Sequence, residues 1–373
     1  MKYDVCIIGG GAAGLAAAAS FHKDISVCIL EKNDIAGRKV LATGGGRCNL
    51  TNAACEGHEI VLEFFRKLGL ETHCDEEGRY YPYSNRAADV VAVLMSAIGD
   101  NVTFRYGFDV KVINRVAGGP EEISGFMITG NADGDGSEMI FADRVIMAMG
   151  GKAGPQFGTT GDGYTIAKTL GHTVTRVFPI LTGIECEGPG IATDYFKGIR
   201  AKGKLTLQKD GKDIAEECGE IQFTEDGLSG ICVFNLTPYI KAEAGENPKD
   251  AMGRYFINID LAPDFSEEEL ASRESSFGIV TGRLAEYVGP DRLKRWPFRV
   301  TGVKGWKDAQ ATSGGVDLEE INMDTMESRL VKGLYFAGEI INVQGPCGGY
   351  NLQNAWETGI KAAEAINAEM ENK

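Results

Sequence analysis

The segment Asp4-Val5-Cys6-Ile7-Ile8 is a short unbroken apolar run, followed at once by Gly9-Gly10-Gly11-Ala12-Ala13-Gly14 and then by Leu15-Ala16-Ala17-Ala18-Ala19. This reads as a strand, a tight turn and a helix. A second apolar run, Ile25 to Leu30, ends at Glu31 and completes a β-α-β unit. Such units imply a parallel sheet buried on both faces. In the spacing Gly9-x-Gly11-x-x-Gly14 each glycine has a physical role. Gly9 makes the turn, Gly11 lets backbone approach a pyrophosphate, and Gly14 lets the helix pack closely on the strand. Free N–H groups at the helix N-terminus then face the phosphates. Glu31 lies twenty residues beyond Gly11, where a carboxylate accepts hydrogen bonds from a ribose. The unit predicts a dinucleotide site within a doubly wound α/β fold.

Apolar residues recur at helical spacing from Glu56 to Leu68 and from Arg86 to Ile98. Val110–Ile113, Gly125–Thr129, Met139–Phe141 and Arg144–Met149 read as strands, with turn chemistry from Asn131 to Gly136 and the pair Gly150-Gly151 after the last. Around Phe178-Pro179 the pattern changes to half-buried strands. Lys204–Gln208 and Asp213–Ala215 flank the turn Asp210-Gly211. Ser266 to Arg295 is charged and helix-like, opening on Ser266 with Glu269 in capping-box position. Gly333–Glu339 is again a strand and Asn351–Met370 a helix, repeating the grammar of the N-terminus. At 373 residues and 43% hydrophobic content the chain exceeds what one core holds. We expect a discontinuous cofactor domain, 1–180 with 316–373, and a β-rich substrate domain, 181–315, with a helical insert at about 264–296.

The late segment separates FAD from NAD. An NAD site needs the N-terminal unit alone, whereas the longer ribityl chain and ring of FAD draw contacts from a distant stretch. Gly338-Glu339 ends the late strand where an acid meets a ribityl hydroxyl. Gly345-Pro346-Cys347-Gly348-Gly349-Tyr350-Asn351 lets backbone approach a flat ring and leads into a helix. That helix N-terminus places positive potential beside a reduced flavin. No C-x-x-x-x-C pair accompanies the first fingerprint and no second strand-G-x-G-x-x-G-helix unit follows, so any NADH or NADPH donor visits an open flavin face transiently.

Composition narrows the partners. A formal net charge of −15 repels phosphate backbones and anionic headgroups, so nucleic acid and membrane surfaces are poor partners and a small-molecule substrate is expected. No apolar stretch approaches a membrane span, and the first apolar run starts at Tyr3, too early for a charged leader, so a cytoplasmic location is expected. Nine scattered cysteines and four histidines show no metal-ligand spacing, and no metal is expected.

Five blocks carry a family resemblance: Gly37-Arg38-Lys39-Val40-Leu41-Ala42-Thr43-Gly44-Gly45-Gly46-Arg47-Cys48-Asn49-Leu50-Thr51-Asn52, Gly161-Asp162-Gly163-Tyr164, Gly227-Leu228-Ser229-Gly230, Thr325-Met326-Glu327-Ser328 and Gly348-Gly349-Tyr350-Asn351. They resemble the BaiN-like NAD(P)/FAD-dependent oxidoreductases of bacteria, some of which are called aminoacetone oxidases. The resemblance implies a Rossmann-like FAD domain interrupted by a β-barrel-like domain with a small helical insert. It also implies that Gly45, Gly46 and Asn49 line the cofactor, that Arg38 and Lys39 approach its phosphates or the substrate, and that Val110 meets the adenine through its backbone. With the fingerprint residues, the candidate cofactor contacts are Gly9, Gly11, Ala12, Ala13, Gly14, Glu31, Lys32, Arg38, Lys39, Gly45, Gly46, Asn49, Val110, Gly150, Gly338, Glu339, Gly349, Tyr350, Asn351 and Leu352. Two stretches depart from the family pattern, Phe223-Thr224-Glu225-Asp226 and Ile231-Cys232. Both fall in the second domain and bear on the substrate.

The chemistry expected is hydride transfer between flavin N5 and a small organic molecule, reducing an activated double bond with NAD(P)H as donor. The rivals are an amine oxidase using oxygen and a flavin-bearing electron-relay or RNA-modifying protein. Tyr350, Arg79, Tyr81 and Glu225 are conceivable catalytic groups, and the sequence assigns the role to none of them.

Overall fold

The computed structural model describes residues 2–116, 125–132, 136–188, 195–242 and 246–371. It divides into two compact units, Met1–Val177 with Ala311–Lys373, and Phe178–Gln310. With elements numbered along the chain, the first unit holds β1 (Lys2–Ile8), α1 (Ala12–Ser20), β2 (Val27–Leu30), α2 (Arg38–Ala42), β3 (Thr51–Asn52), α3 (His58–Lys67), β4 (Thr72–Cys74), β5 (Arg79–Pro82) and α4 (Ala87–Ala97). It continues through β6 (Val102–Arg105), β7 (Asp109–Val116), β8 (Gly125–Ala132), β9 (Gly136–Met147) and α5 (Asp162–Thr169), and ends with β17 (Ala311–Ser313), β18 (Leu334–Phe336) and α10 (Tyr350–Glu371).

Seven strands form the main sheet of this unit in the order β6-β2-β1-β9-β8-β7, with β18 also paired to β9. β1, β2, β6 and β18 join it in parallel, and β7 and β8 are antiparallel. Val5, Cys6, Ile7, Val27, Cys28, Ile29, Val145 and Ile146 are fully buried, which explains why these strands read as unbroken apolar runs. Truncating one such side chain, Ile7→Ala for example, costs roughly 2–5 kcal/mol in this setting. Helix α1 is built of small residues because α10 crosses it closely: a Cβ on Gly359 would lie 2.2 Å from the carbonyl oxygen of Ala13.

The sequence reading of two strands at 139–141 and 144–149 is corrected: β9 is one strand from Gly136 to Met147. Its first part pairs with β8 and its later part runs parallel to β1 and β18. The polar residues that interrupt the apolar run, Asp143 and Arg144, stay in the strand because Lys2 and Glu369 neutralise them, each at 2.8 Å. Of the expected turn from Asn131 to Gly136, residues 133–135 lie outside the described residues.

The second unit comprises β10 (Phe178–Ile180), β11 (Ile184–Glu187), β12 (Arg200–Lys209), β13 (Lys212–Phe223), β14 (Gly227–Ser229), α6 (Ile231–Leu236), α7 (Pro248–Met252), β15 (Tyr255–Asp260), α8 (Glu267–Ala271), α9 (Gly282–Ala285) and β16 (Trp296–Val303). Six strands close a barrel in the order β11-β14-β13-β12-β15-β16. Phe196, Phe223, Trp296 and Phe298 pack together in its core. The β12–β13 hairpin turns at Asp210 and Gly211 with φ of 51° and 77°, the pair of left-handed residues that a two-residue type I′ turn requires. At the start of α8, the Ser266 hydroxyl accepts from Glu269 N at 3.2 Å while the Glu269 carboxylate accepts from Ser266 N at 2.7 Å. The capping box read from the sequence is therefore formed. Among the described residues no helix is long and apolar enough to cross a membrane.

Candidate cofactor site

The turn between β1 and α1 allows side chains at neither of its outer glycines. Gly9 has φ 105°, and a Cβ there would come within 2.4 Å of Ala148 O; one on Gly14 would lie 1.9 Å from Gly9 O. Gly11 differs, since nothing stands within 4 Å of a Cβ built on it. Its freedom from contact leaves backbone exposed at the N-terminus of α1, which no side chain caps. Ala12 and Ala13 contribute first-turn N–H groups without side chains to shield them. This is a cradle for an anion.

Glu31, at the end of β2, is buried. One carboxylate oxygen accepts from Gly10 N at 2.7 Å, and the other accepts from Asn33 N at 2.8 Å and from the Asn33 amide at 2.6 Å. The acid therefore fixes the glycine turn, with lone-pair capacity left for a further donor. Asn33, which the sequence reading missed, holds it in place. Lys32 turns aside to Thr160 and Asp162 at 3.0 and 3.1 Å. Arg38, exposed, donates to the side-chain oxygen of Asn33 at 3.0 Å. Val110 is a buried residue of β7 at the start of an irregularity in its pairing with β8.

After α2 the chain makes a short coil in which Gly44, Gly45 and Gly46 take φ of 57°, 66° and 85°. Gly45 and Gly46 have nothing within 4 Å of an added Cβ, so their backbone faces open space. Asn49 follows, buried, and its Oδ1 has no hydrogen-bond partner. A buried unpartnered carbonyl costs about 1–3 kcal/mol, a cost that a bound ligand donor removes. Burial pushes the neighbouring Cys48 thiol up to about 12, which leaves it protonated and unreactive at neutral pH.

The small sheet β3-β5-β4 lies beside this loop. Register places His73 opposite Tyr81 and Asn52 opposite Arg79, so these four side chains share one face. Arg47 stacks over the buried Tyr81 ring at 4.5 Å, and His73 stacks on Tyr81 with ring centroids 6.0 Å apart. Arg79 is neutralised by Asp75 at 2.8 Å and Glu77 at 2.7 Å. Asn52 donates to Gly348 O at 3.1 Å, tying the late glycine segment to the same face. Of the two groups weighed as catalytic from the sequence, Arg79 is thus held in ion pairs and the Tyr81 ring is packed between Arg47 and His73.

The late strand brings Gly338 and Glu339 to this unit's C-terminal sheet edge. Glu339 binds Lys39 at 2.7 Å and accepts from Thr312 N at 2.7 Å, so the two sequence candidates neutralise each other. Lys39 also donates to Ala153 O at 3.2 Å. The Thr312 hydroxyl accepts from Lys152 N and Ala153 N at 2.8 and 3.0 Å, and a Cβ on Gly151 would lie 2.4 Å from it. Gly150, with φ 69°, starts that loop. Thr312 belongs to no motif, and no signal in the chain marks it in advance.

Gly349 has φ 107°, and a Cβ there would lie 2.5 Å from the Thr51 carbonyl carbon. At this glycine the backbone of β3 comes so close that a side chain has no room. Asn351 closes the loop through Gly345, accepting from its N at 3.1 Å and donating to its O at 3.0 Å. Burial raises the Tyr350 hydroxyl, with the Cys55 thiol adding to the effect, so it stays protonated. Leu352 packs against the cluster of Leu15, Phe65 and Trp356.

In the second unit, Glu225 pairs with Lys197 at 2.7 Å and Asp226 pairs with Lys304. Ile231 is exposed at the start of α6 and Cys232 is buried behind it. These account for both departures from the family pattern as locally satisfied surface and core positions. Among the described residues no group of three His, Cys, Asp or Glu side chains is placed to hold a metal ion.

Comparison with known proteins gives this geometry a lineage. The profile described as HI0933-like protein Rossmann domain matches residues 3–62 and 57–365. A 3-dehydro-bile acid delta(4,6)-reductase of Clostridium scindens is 32% identical, covering 96% of this chain and 98% of its own. A ribosomal RNA dihydrouridine synthase of Escherichia coli is 27% identical over 98% of both. Among solved structures, the FrdA chain of E. coli quinol fumarate reductase superposes with a TM-score of 0.52 at 16% identity, covering 100% of this chain and 71% of that one. A flavocytochrome c3 fumarate reductase gives 0.51 at 14%, covering 98% and 78%. These two share the fold. The resemblance carried by the Gly37–Asn52 block is borne out over nearly the whole length, and the chain belongs to the HI0933-like Rossmann family.

Proposed function

We propose that the protein is an FAD-dependent oxidoreductase that takes a hydride from NADH or NADPH and delivers it to an activated carbon–carbon double bond of a small organic molecule. It is an enzyme of the flavin class, and the observation that carries this reading is the unpartnered Asn49 Oδ1 beside a glycine loop whose backbone faces open space. A buried acceptor without a donor, in the same unit as an uncapped helix and a buried acid at the end of β2, supports a site for a polar ligand. When bound there, the flavin supplies hydride acceptance and donation at its N5. The chain's own contribution is binding and orientation. The N-terminus of α1 and Gly11 hold the diphosphate, Glu31 the ribose, and Gly45, Gly46 and Asn49 the ring side.

The Clostridium scindens relative is by name a delta(4,6)-reductase of a 3-dehydro-bile acid, which supports double-bond reduction here. Two relatives act by name on ribosomal RNA. The net charge of −15 stands against a polynucleotide and favours a small molecule. Thiols packed in the apolar core, such as Cys6 and Cys28, fit a cytoplasmic setting. The test is chromatography of the cofactor released on denaturation, followed by anaerobic mixing with NADH or NADPH while the visible flavin band is followed. FAD release and bleaching are expected. Recovery of FMN, or of no flavin after reconstitution, would overturn the cofactor assignment. FAD release without bleaching by either donor would overturn the donor assignment alone.

A further inference from the structure

Cations near the glycine loop are mostly paired with carboxylates. Lys39 is held by Glu339, Lys32 by Asp162, and Arg79 by Asp75 and Glu77. Arg47, like Arg38, makes no ion pair among the described residues, but it alone of the two stacks on an aromatic ring. Its Nε donates to Gly44 O at 3.3 Å and its guanidinium lies flat on Tyr81 at 4.5 Å, both within the chain's own loop and sheet. Arg47 is exposed, and it is also pre-oriented. The ring holds the guanidinium in place, and among the described residues its two terminal NH2 groups have no protein partner. The aromatic stack continues past it, with Tyr81 on His73 and His73 edge-on to Tyr83 at 6.2 Å; Tyr83 is 74% exposed.

We infer that Arg47 and the Tyr81–His73–Tyr83 stack form a docking site for the anionic group of a ring-bearing ligand that visits the flavin face. The inference rests on the flavin reading above and adds a residue to it. A planar guanidinium takes a carboxylate or a phosphate through two parallel hydrogen bonds, and the exposed Tyr83 ring offers a surface for the ligand's own ring. Two sources carry that chemistry: the phosphates of a nicotinamide dinucleotide, and a carboxylate on the organic substrate. Arg47 belongs to the same block as Gly45, Gly46 and Asn49, so an anion held there lies beside the loop that faces the cofactor.

The test uses the flavin-loaded protein and two variants, Arg47→Ala and Arg47→Lys. Each is titrated at equilibrium with NAD⁺, NADP⁺, cholate and cholate methyl ester, none of which consumes the oxidised flavin, and binding is read from calorimetry and perturbation of the visible band. The alanine variant is expected to keep its FAD and its spectrum while the dissociation constant of the anionic probe rises by about tenfold or more. Its salt dependence should flatten as well. The lysine variant should recover the salt dependence but only part of the affinity, because it lacks the planar fork. Loss confined to the dinucleotides identifies the donor as the ligand, and loss confined to cholate with the ester unaffected identifies the substrate carboxylate. Unchanged constants for every probe, or a wild type that binds none of them, would overturn the site. Release of FAD by Arg47→Ala would overturn it too, by making Arg47 a cofactor ligand, whereas a wild type without FAD would instead bring down the flavin reading.

Discussion

Replacing Glu31 by glutamine tests the cofactor cradle at its least forgiving point. The side chain keeps its shape, but one carboxylate oxygen becomes an amide nitrogen. The carboxylate now serves three donors, Gly10 N, Asn33 N and the Asn33 amide, at 2.6–2.8 Å. Glutamine can offer its oxygen to the Gly10 side or to the Asn33 side, and the other side then faces a donor with a donor. Leaving one buried N–H unsatisfied costs about 1–3 kcal/mol, and converting the remaining charge-assisted bonds to neutral ones removes about 1 kcal/mol more. The apoprotein should therefore lose about 2–4 kcal/mol, read as a fall of several degrees in melting temperature for a unit of this size. FAD affinity should fall further, by roughly 10- to 100-fold, because the ribose loses a charged acceptor and the Gly9–Gly14 turn loses its anchor. Differential scanning fluorimetry of the apoprotein and equilibrium dialysis against FAD separate the two effects. An apoprotein of unchanged stability would refute the anchoring role, and an unchanged FAD constant would refute the ribose role.

Asn49→Ala should leave the apoprotein as stable as the parent or more so, since Oδ1 is buried without a partner, yet weaken FAD binding by about tenfold; the same melting and dialysis experiments check both. Gly349→Val should destabilise the fold by ~2 kcal/mol or more, because φ 107° and a Cβ 2.5 Å from the Thr51 backbone are both incompatible with a side chain, and denaturant titration measures it. His172 is buried between Glu320 at 3.1 Å and Ser328 at 3.0 Å, and burial holds it below its ordinary range despite the raising effect of Glu320. The unfolded chain then binds the proton more readily than the folded one, so stability should fall as pH drops through about 6.5 towards the lower folded value. His172→Gln should flatten that part of the stability–pH curve.

The N-terminal β-α-β unit was legible because its periodicity, its glycines and its terminal acid all answer to one backbone geometry. The long helices α3, α4 and α10 were legible for the same reason, and the structure moves their ends by one or two residues. The break predicted inside β9 was an error of context. Asp143 and Arg144 look like the end of a buried strand until Lys2 and Glu369, distant in sequence, are seen to neutralise them. The barrel strands β12 and β13 run ten and twelve residues, longer than the apolar pattern shows, because their solvent face is written in paired charges such as Arg200–Glu220 and Lys204–Glu216. Alternation marked the buried face, and only pairing marks the length.

At the site, what the sequence could not rank is which polar groups are already satisfied. Lys39, Glu339 and Arg79 carry the strongest formal signals, and the fold engages all three with one another or with nearby acids and backbone. A side chain so engaged meets a ligand only by giving up a bond it already has. Asn49 and Arg47 stand on the opposite footing: one is a buried acceptor with no donor, the other an oriented cation with no acid. The cost of the buried Asn49 oxygen is offset when a donor arrives, and Arg47 has no acid to give up, which makes uncommitted groups better guides to function here than paired ones. At Gly349 the missing side chain is accounted for by the backbone of Thr51. Gly45 and Gly46 are glycine for their left-handed φ of 66° and 85°, and the open space beside them leaves their backbone free to meet a ligand.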